Sequence, residues 1–127
     1  MKEYKALQSD KIPAAIGPYS AGIKTEQFVF TSGQLPIDPA TGALIEGSIA
    51  EMTVQSLRNV AAILEVAGSD LSKVVKTTIF LADLNDFAEV NAAYAAFFGK
   101  IAPARSCVQV AKLPKDARIE IEAIALC

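Results

Sequence analysis

The segment Val74–Ala82 is dense in Val, Thr, Ile and Phe, reads as a β-strand, and is apolar on both of its faces. Val75, Ile79 and Leu81 alternate onto one side, and Val74, Phe80 and Ala82 onto the other. The closing segment, Ala117–Leu126, repeats the pattern with Ile119 and Ile121 against Ile124 and Leu126. A sheet that is apolar on both sides needs a cover on both. Only two helices are on offer, and they can cover one face. The second face is therefore expected to be covered by another subunit.

The first helix is signalled by Ser48-Ile49-Ala50-Glu51, the pattern of a capping box. Thr53, Leu57, Val60, Ala61 and Leu64 then recur at helical spacing, and Gly68 supplies the stop. The second is expected to start at Asn85 or Asp86 and to run to Gly99, with Phe87, Val90, Tyr94, Phe97 and Phe98 as its apolar stripe. Before the first helix, Phe28–Thr31 is a short strand stopped by Ser32-Gly33, and Leu35–Gly42 reads as loop and turn. After the second, Ala104–Ala111 and Ala117–Leu126 read as a hairpin joined by Leu113-Pro114-Lys115-Asp116. Strands, helix, strand, helix and hairpin in that order suggest an α+β sandwich with both helices on one sheet face. At 127 residues, without repeat or linker, the chain is expected to be one domain over residues 1–127.

Composition excludes much chemistry. There is no histidine, which removes Ser-His-Asp and Cys-His catalysis and histidine-based zinc sites. Two cysteines, Cys107 and Cys127, cannot build a four-cysteine metal site or a CxxC pair. No metal or cofactor is expected. A net charge of −2 and a pI near 5.1 give no basic surface, so no nucleic-acid partner is expected. Met1–Lys5 carries acid and base and no apolar core, and no run approaches the ~20 apolar residues of a membrane helix. The expectation is a cytoplasmic protein with neither signal peptide nor membrane contact.

In the expected hairpin, Cys107 faces Glu122, Gln109 faces Glu120 and Arg105 faces Ile124, so Arg105, Cys107, Gln109, Glu120 and Glu122 share one face. A slip of one residue breaks that arrangement. The face reads either as a solvated strand with cross-strand ion pairs or as an anion-binding arginine near a carboxylate that acts on water. Asn91 sits on the second helix's apolar stripe, four residues after Phe87 and three before Tyr94. It is either a structural amide or a polar group at a pocket rim. Tyr19 follows the restricted Gly17-Pro18, and Ser32-Gly33 is either a plain turn or a close approach of backbone N–H groups to a ligand. Lys76 alternates onto a strand face and reads as surface or interface charge.

Several of these segments together resemble the RidA family, the YjgF-like imine and enamine deaminases. They are Ile12–Gly22, Thr31–Pro36, Lys76–Thr78, Val90–Tyr94, Pro103–Val108, Leu113–Asp116 and Ile119–Ala123. The resemblance implies a chorismate-mutase-like fold assembled as a homotrimer with sites between subunits. It also implies hydrolysis of 2-enamine and 2-imino acids, such as 2-aminoacrylate and 2-iminopropionate, to 2-keto acids and ammonia. By position, the family's site falls on Tyr19, Ser32, Gly33, Asn91, Arg105, Cys107 and Glu120. Arg105 would bind the substrate carboxylate, and Glu120 would orient or deprotonate water. An imine is already electrophilic, so this chemistry needs a held carboxylate, an activated water and donors for the tetrahedral intermediate. Two other readings stand beside it: a keto-acid-sensing or protein-binding module that keeps the pocket without turnover, and an RNA-directed translation inhibitor or ribonuclease.

Overall fold

The computed structural model describes residues 3–127. Met1 and Lys2, which open both the segment read for a leader and the domain expected over 1–127, lie outside the described residues. Six strands form one mixed sheet: β1 (Lys5–Leu7), β2 (Gly22–Lys24), β3 (Phe28–Thr31), β4 (Val74–Leu81), β5 (Ala104–Gln109) and β6 (Ile119–Leu126). Their spatial order is β1-β2-β3-β6-β4-β5, all neighbours antiparallel except β4 and β5. β4 and β6, expected to be apolar on both faces, take central places, and each carries polar residues on its outer face: Lys76 and Thr78 on β4, Glu120 and Glu122 on β6. Two helices, α1 (Ile49–Val66) and α2 (Phe87–Ala95), lie on one face. The core there joins Leu57, Val60, Ile63 and Leu64 of α1 and Val90 of α2 to Val29, Ile79 and Ile121 of the sheet.

The ends of α1 follow the sequence signals. Ser48 Oγ accepts from Glu51 N, and Glu51 Oε1 accepts from Ser48 N, closing the capping box. At the other end Gly68 adopts φ +81°, and Gly68 N and Ser69 N donate to Glu65 O and Leu64 O. No basic residue lies in the last turn of α1, but Lys24 of β2 donates from Nζ to Ala67 O at 2.9 Å. A buried Asn59 reaches from the helix to Leu35 O and Ile37 O (3.1 and 2.8 Å), pinning the loop after β3. Leu35 and Ile37 there form a second small core with Leu113 and Ala117.

Three expectations are corrected. The terminal hairpin does not form: β5 and β6 do not pair, because β4 inserts between them, parallel to one and antiparallel to the other. A β-bulge in β4 between Val74 and Lys76 turns Val74 inward and leaves Val75 42 % exposed, reversing the sides expected for these two valines. The second helix ends at Ala95, four residues short of Gly99, and buries only Val90 and Tyr94 of its stripe. Its start is set by Asp83, which caps a preceding 3-10 turn, and Asp86 makes no side-chain cap bond.

The sheet face away from the helices carries exposed apolar side chains beside the polar Lys76, Thr78, Glu120 and Glu122. Phe30 pairs with Ile124, Phe28 with Leu126, and Phe80 with Val108, and Phe30, Val108 and Leu126 are each 40–44 % exposed.

Candidate functional site

The row that carries Arg105 runs across three strands: Arg105 of β5 is level with Thr77 of β4, and Thr77 with Ala123 of β6. Thr77 and Ala123 are buried under the helices, so Arg105 and, two residues on, Cys107 project to the helix side. Two tethers bring the start of α2 over β5: Leu84 N donates to Gln109 Oε1 at 2.8 Å, and Arg118 Nη2 to Asp86 Oδ2 at 3.0 Å. The helix thereby lays aromatic rings against the guanidinium. Arg105 Cζ stands 5.0 Å from the ring centre of Tyr94 and 5.6 Å from that of Phe87. Asn91 lies between them on the same side of α2, and its Oδ1 is buried without a hydrogen-bond partner. Burial pushes the Cys107 thiol above its ordinary value, against the smaller opposing pull of Arg105. That thiol is protonated at neutral pH and is a poor nucleophile.

A second group of candidates gathers on the opposite side of the sheet. Glu120 of β6 lies in the row of Phe80 and Val108, facing away from the helices. After β3 the chain returns to β6 where Gln34 N donates to Ile121 O (2.8 Å) and Ile121 N to Gln34 O (3.1 Å). Gly33 is thereby delivered directly under the Glu120 carboxyl. Ser32 is fixed by Ser32 N to Ala21 O (2.8 Å) and by its hydroxyl, which donates to Ser20 O (2.6 Å). Tyr19, half exposed, accepts from Ile16 N at 3.3 Å. Tyr19, Gly33 and Glu120, with Pro13, Leu35 and Pro114, line a cleft of about 210 Å³. A wider groove of about 480 Å³ adjoins it across Tyr19, but among the described residues Asp10 is its one charged lining group and Tyr19 its one candidate. Glu120 is held above the ordinary carboxylate value, first by burial and second by Glu122, the next residue along on its face. A raised pKa makes the ionised carboxylate a stronger proton acceptor than an ordinary one.

The seven candidates thus fall into two clusters: Arg105, Cys107 and Asn91 on the helix side, and Tyr19, Ser32, Gly33 and Glu120 on the open side. The expected common face of Arg105, Cys107, Gln109, Glu120 and Glu122 is therefore incorrect. Arg105 is level with Ala123 and not with Ile124, and that single-residue difference turns both glutamates to the other face. Gln109 is occupied in holding Leu84. Lys76 donates from Nζ to Ser106 Oγ on the open face. Tyr94, Phe87 and Thr77 were not among the sequence candidates; the spacing of Phe87 and Tyr94 around Asn91 was their only signal, and it reads equally as core.

A model of the family described as Endoribonuclease L-PSP matches residues 9–127. A 2-iminobutanoate/2-iminopropanoate deaminase of Salmonella typhimurium is 54 % identical over 125 residues, covering 96 % of this chain and 97 % of that one. The same-named protein of Escherichia coli K12 is 52 % identical with the same coverage. Among solved structures, E. coli TdcF with bound serine superposes with a TM-score of 0.92 at 45 % identity, covering 97 % of this chain and 98 % of the other. RidA from an Antarctic Psychrobacter superposes with a TM-score of 0.93 at 44 % identity, covering 97 % and 99 %. These matches span nearly the whole chain and agree with its small α+β domain, and the chain belongs to the Endoribonuclease L-PSP family, the RidA relatives that its sequence motifs resemble.

Proposed function

We propose that this protein hydrolyses reactive 2-enamine and 2-imino acids, such as 2-aminoacrylate and 2-iminopropionate, to 2-keto acids and ammonia. We further propose that it does so as a cytoplasmic homotrimer of one domain, with a chorismate-mutase-like fold and sites between subunits. The observation that carries this reading is the division of the candidates between the two faces of one sheet. Arg105 and Glu120 are separated by the sheet and by two strand spacings, roughly 10 Å. A second copy seated on the open face covers Phe30, Val108 and Leu126 and carries its own arginine cluster to the Glu120 cleft. The deaminase relatives named above, alike over nearly the whole chain, support the chemistry.

In this reading Arg105 forks the substrate carboxylate through two parallel N–H···O bonds, fixing C2 relative to a water on Glu120. Glu120 takes a proton from that water as its oxygen bonds to C2 of the protonated imine. The C=N π electrons pass to nitrogen, giving a tetrahedral carbinolamine. Glu120 then returns the proton to the amine; the C–N bond breaks, ammonia leaves, and the hydroxyl proton passes to the Glu120 carboxylate and on to solvent as the keto acid forms. The backbone at Gly33, the Ser32 oxygen and Asn91 Oδ1 are the polar groups assigned to the carbinolamine, and Tyr19 walls the substrate. Cys107 contacts substrate as a neutral thiol.

The family description names an endoribonuclease, which favours a second, RNA-directed reading. A net charge of −2 and the lack of histidine weigh against it. Keto-acid release from an imine generated in situ, set beside RNA cleavage by the same preparation, tests both. Imine hydrolysis that Arg105→Ala abolishes is the expected result. Wild-type RNA cleavage without accelerated imine hydrolysis would replace the proposal, and keto-acid binding without turnover would favour a sensor.

A further inference from the structure

Thr77 is a buried hydroxyl, level with Arg105 on the neighbouring strand and followed on its own face by Ile79 and Leu81. Its Oγ1 lies 2.7 Å from the Tyr94 hydroxyl, and both residues are buried. The Tyr94 ring is thus fixed at the helix by its backbone, at the sheet by Thr77, and against Phe98, whose ring centre is 4.7 Å away. The same ring carries the Arg105 guanidinium at 5.0 Å. Phe87, the other ring against Arg105, is 39 % exposed and has no comparable anchor. Arginine reaches its target through several freely rotating bonds, so a bidentate grip needs a rigid surface to set the plane of the fork. Phenylalanine would fill the same volume, as it does at positions 97 and 98. The hydroxyl adds a fixed tilt, tied to Arg105's own neighbour in the sheet.

From this geometry we infer that Tyr94, locked by Thr77, is a positioning residue that aims Arg105 at the substrate carboxylate. The inference rests on the reading of Arg105 as the carboxylate anchor. Tyr94 touches no reacting atom. Its effect falls on binding in the ground state and the transition state alike, so it appears in KM and not in kcat.

The test uses Tyr94→Phe, Thr77→Val and Thr77→Ser in the full-length protein. It reads kcat and KM for an imine generated in situ and the Kd of pyruvate by calorimetry. Tyr94→Phe and Thr77→Val are each expected to raise KM and the pyruvate Kd by roughly threefold to tenfold, the worth of one hydrogen bond, with kcat changed less than about twofold. Thr77→Ser restores both, and the double variant is no worse than either single one. In an Arg105→Lys background, assayed at high protein concentration, Tyr94→Phe adds nothing, because the fork it aims is gone. Unchanged KM and Kd in Tyr94→Phe overturn the inference, as does an effect of full size in the Arg105→Lys background. Should Thr77→Val fail to fold, Tyr94→Phe and Thr77→Ser carry the test. Arg105→Ala separates the two levels. If it is impaired while Tyr94→Phe is neutral, the positioning role alone fails. If Arg105→Ala binds and turns over normally, the anchor reading fails and the inference falls with it.

Discussion

Glu120 lies so close over Gly33 that a Cβ at residue 33 would stand 2.6 Å from its carboxyl carbon and 2.6 Å from Oε2. The antiparallel bridge of Gln34 to Ile121 holds residue 33 beside β6, and the Glu120 side chain reaches diagonally across to it. A side chain at residue 33 must displace the carboxyl, and the carboxyl is the far end of a flexible chain that swings away cheaply. Gly33→Ala is therefore expected to keep its stability within about 1 kcal/mol while kcat falls tenfold or more, since displacing a catalytic group by about 1 Å costs on the order of a hundredfold. Chemical denaturation and steady-state kinetics on one preparation check it. A fully active Gly33→Ala would detach Glu120's position from the reaction.

The elevated pKa of Glu120 gives two pH signatures. A general base must be ionised, so turnover rises with pH through its pKa, and Glu120→Gln is expected to lose about 10²–10⁴-fold in kcat. Glu122 is the second cause of the elevation, after burial. Glu122→Gln should keep the plateau rate and move the acid limb of kcat/KM to lower pH. An unmoved limb removes Glu122 from the tuning. For stability the sign is the reverse of an ion-paired carboxylate. The folded state holds the proton more tightly than the unfolded chain, so the stability it confers is complete below the ordinary value of 4.5 and is lost as pH rises through the raised value. Glu120→Gln should match the wild type below that window and exceed it at neutral pH. Urea unfolding at both ends of the range reads the difference directly.

Cys107 invites a nucleophilic role by its place beside Arg105, and its protonation state argues otherwise. With burial holding the thiol above its ordinary value, the thiolate is scarce at neutral pH and no imidazole exists to generate it. Cys107→Ser is expected to keep kcat within about tenfold, and iodoacetamide at neutral pH should modify the residue slowly. A loss approaching that of Glu120→Gln would require a covalent step through sulfur.

The elements of this fold were legible where the signal is local. The Ser48–Glu51 capping box, the Gly68 stop and the strand character of Val74–Leu81 each rest on neighbouring residues and are found as read. The errors share another origin. Alternation along β5 tells that Arg105 and Cys107 share a face, and along β6 that Glu120 and Glu122 do. It does not tell which strand lies between them or which residue is level with which. Proximity in sequence made β5 and β6 partners, whereas β4, expected to be apolar on both faces, belongs in the interior beside β6 and displaces β5 to the edge. The bulge at Val75 is likewise invisible in a run of Val, Val, Lys and Thr. Arg105's aromatic cradle escaped because Phe87 and Tyr94 occupy positions that any amphipathic helix fills with core. The expected uncovered face is found in part: Phe30, Val108 and Leu126 are exposed on it, while Lys76, Thr78, Glu120 and Glu122 make the rest of it polar.

That open face leads to the prediction that separates a shared site from a self-contained one. If each site joins the Arg105 cluster of one subunit to the Glu120 cleft of the next, two inactive variants must repair each other when mixed. Arg105→Ala supplies intact Glu120 halves, and Glu120→Gln supplies intact Arg105 halves. Neither can hydrolyse imines alone. When they are co-expressed with different tags and the mixed oligomers isolated, an interface is whole only if its arginine comes from the Glu120→Gln chain and its glutamate from the Arg105→Ala chain. In a mixed trimer of either composition one interface of the three is whole, so about a third of wild-type activity is expected. The same variants purified separately and combined without subunit exchange should stay inactive. Sites confined to one chain would give no recovery under either protocol, since every chain then carries a lesion. Phe30→Glu, placed where Phe30 and Ile124 pair on the open face, should abolish both the oligomer and the activity by burying an unpaired charge. A stable monomer with full turnover would show that the two clusters need not meet.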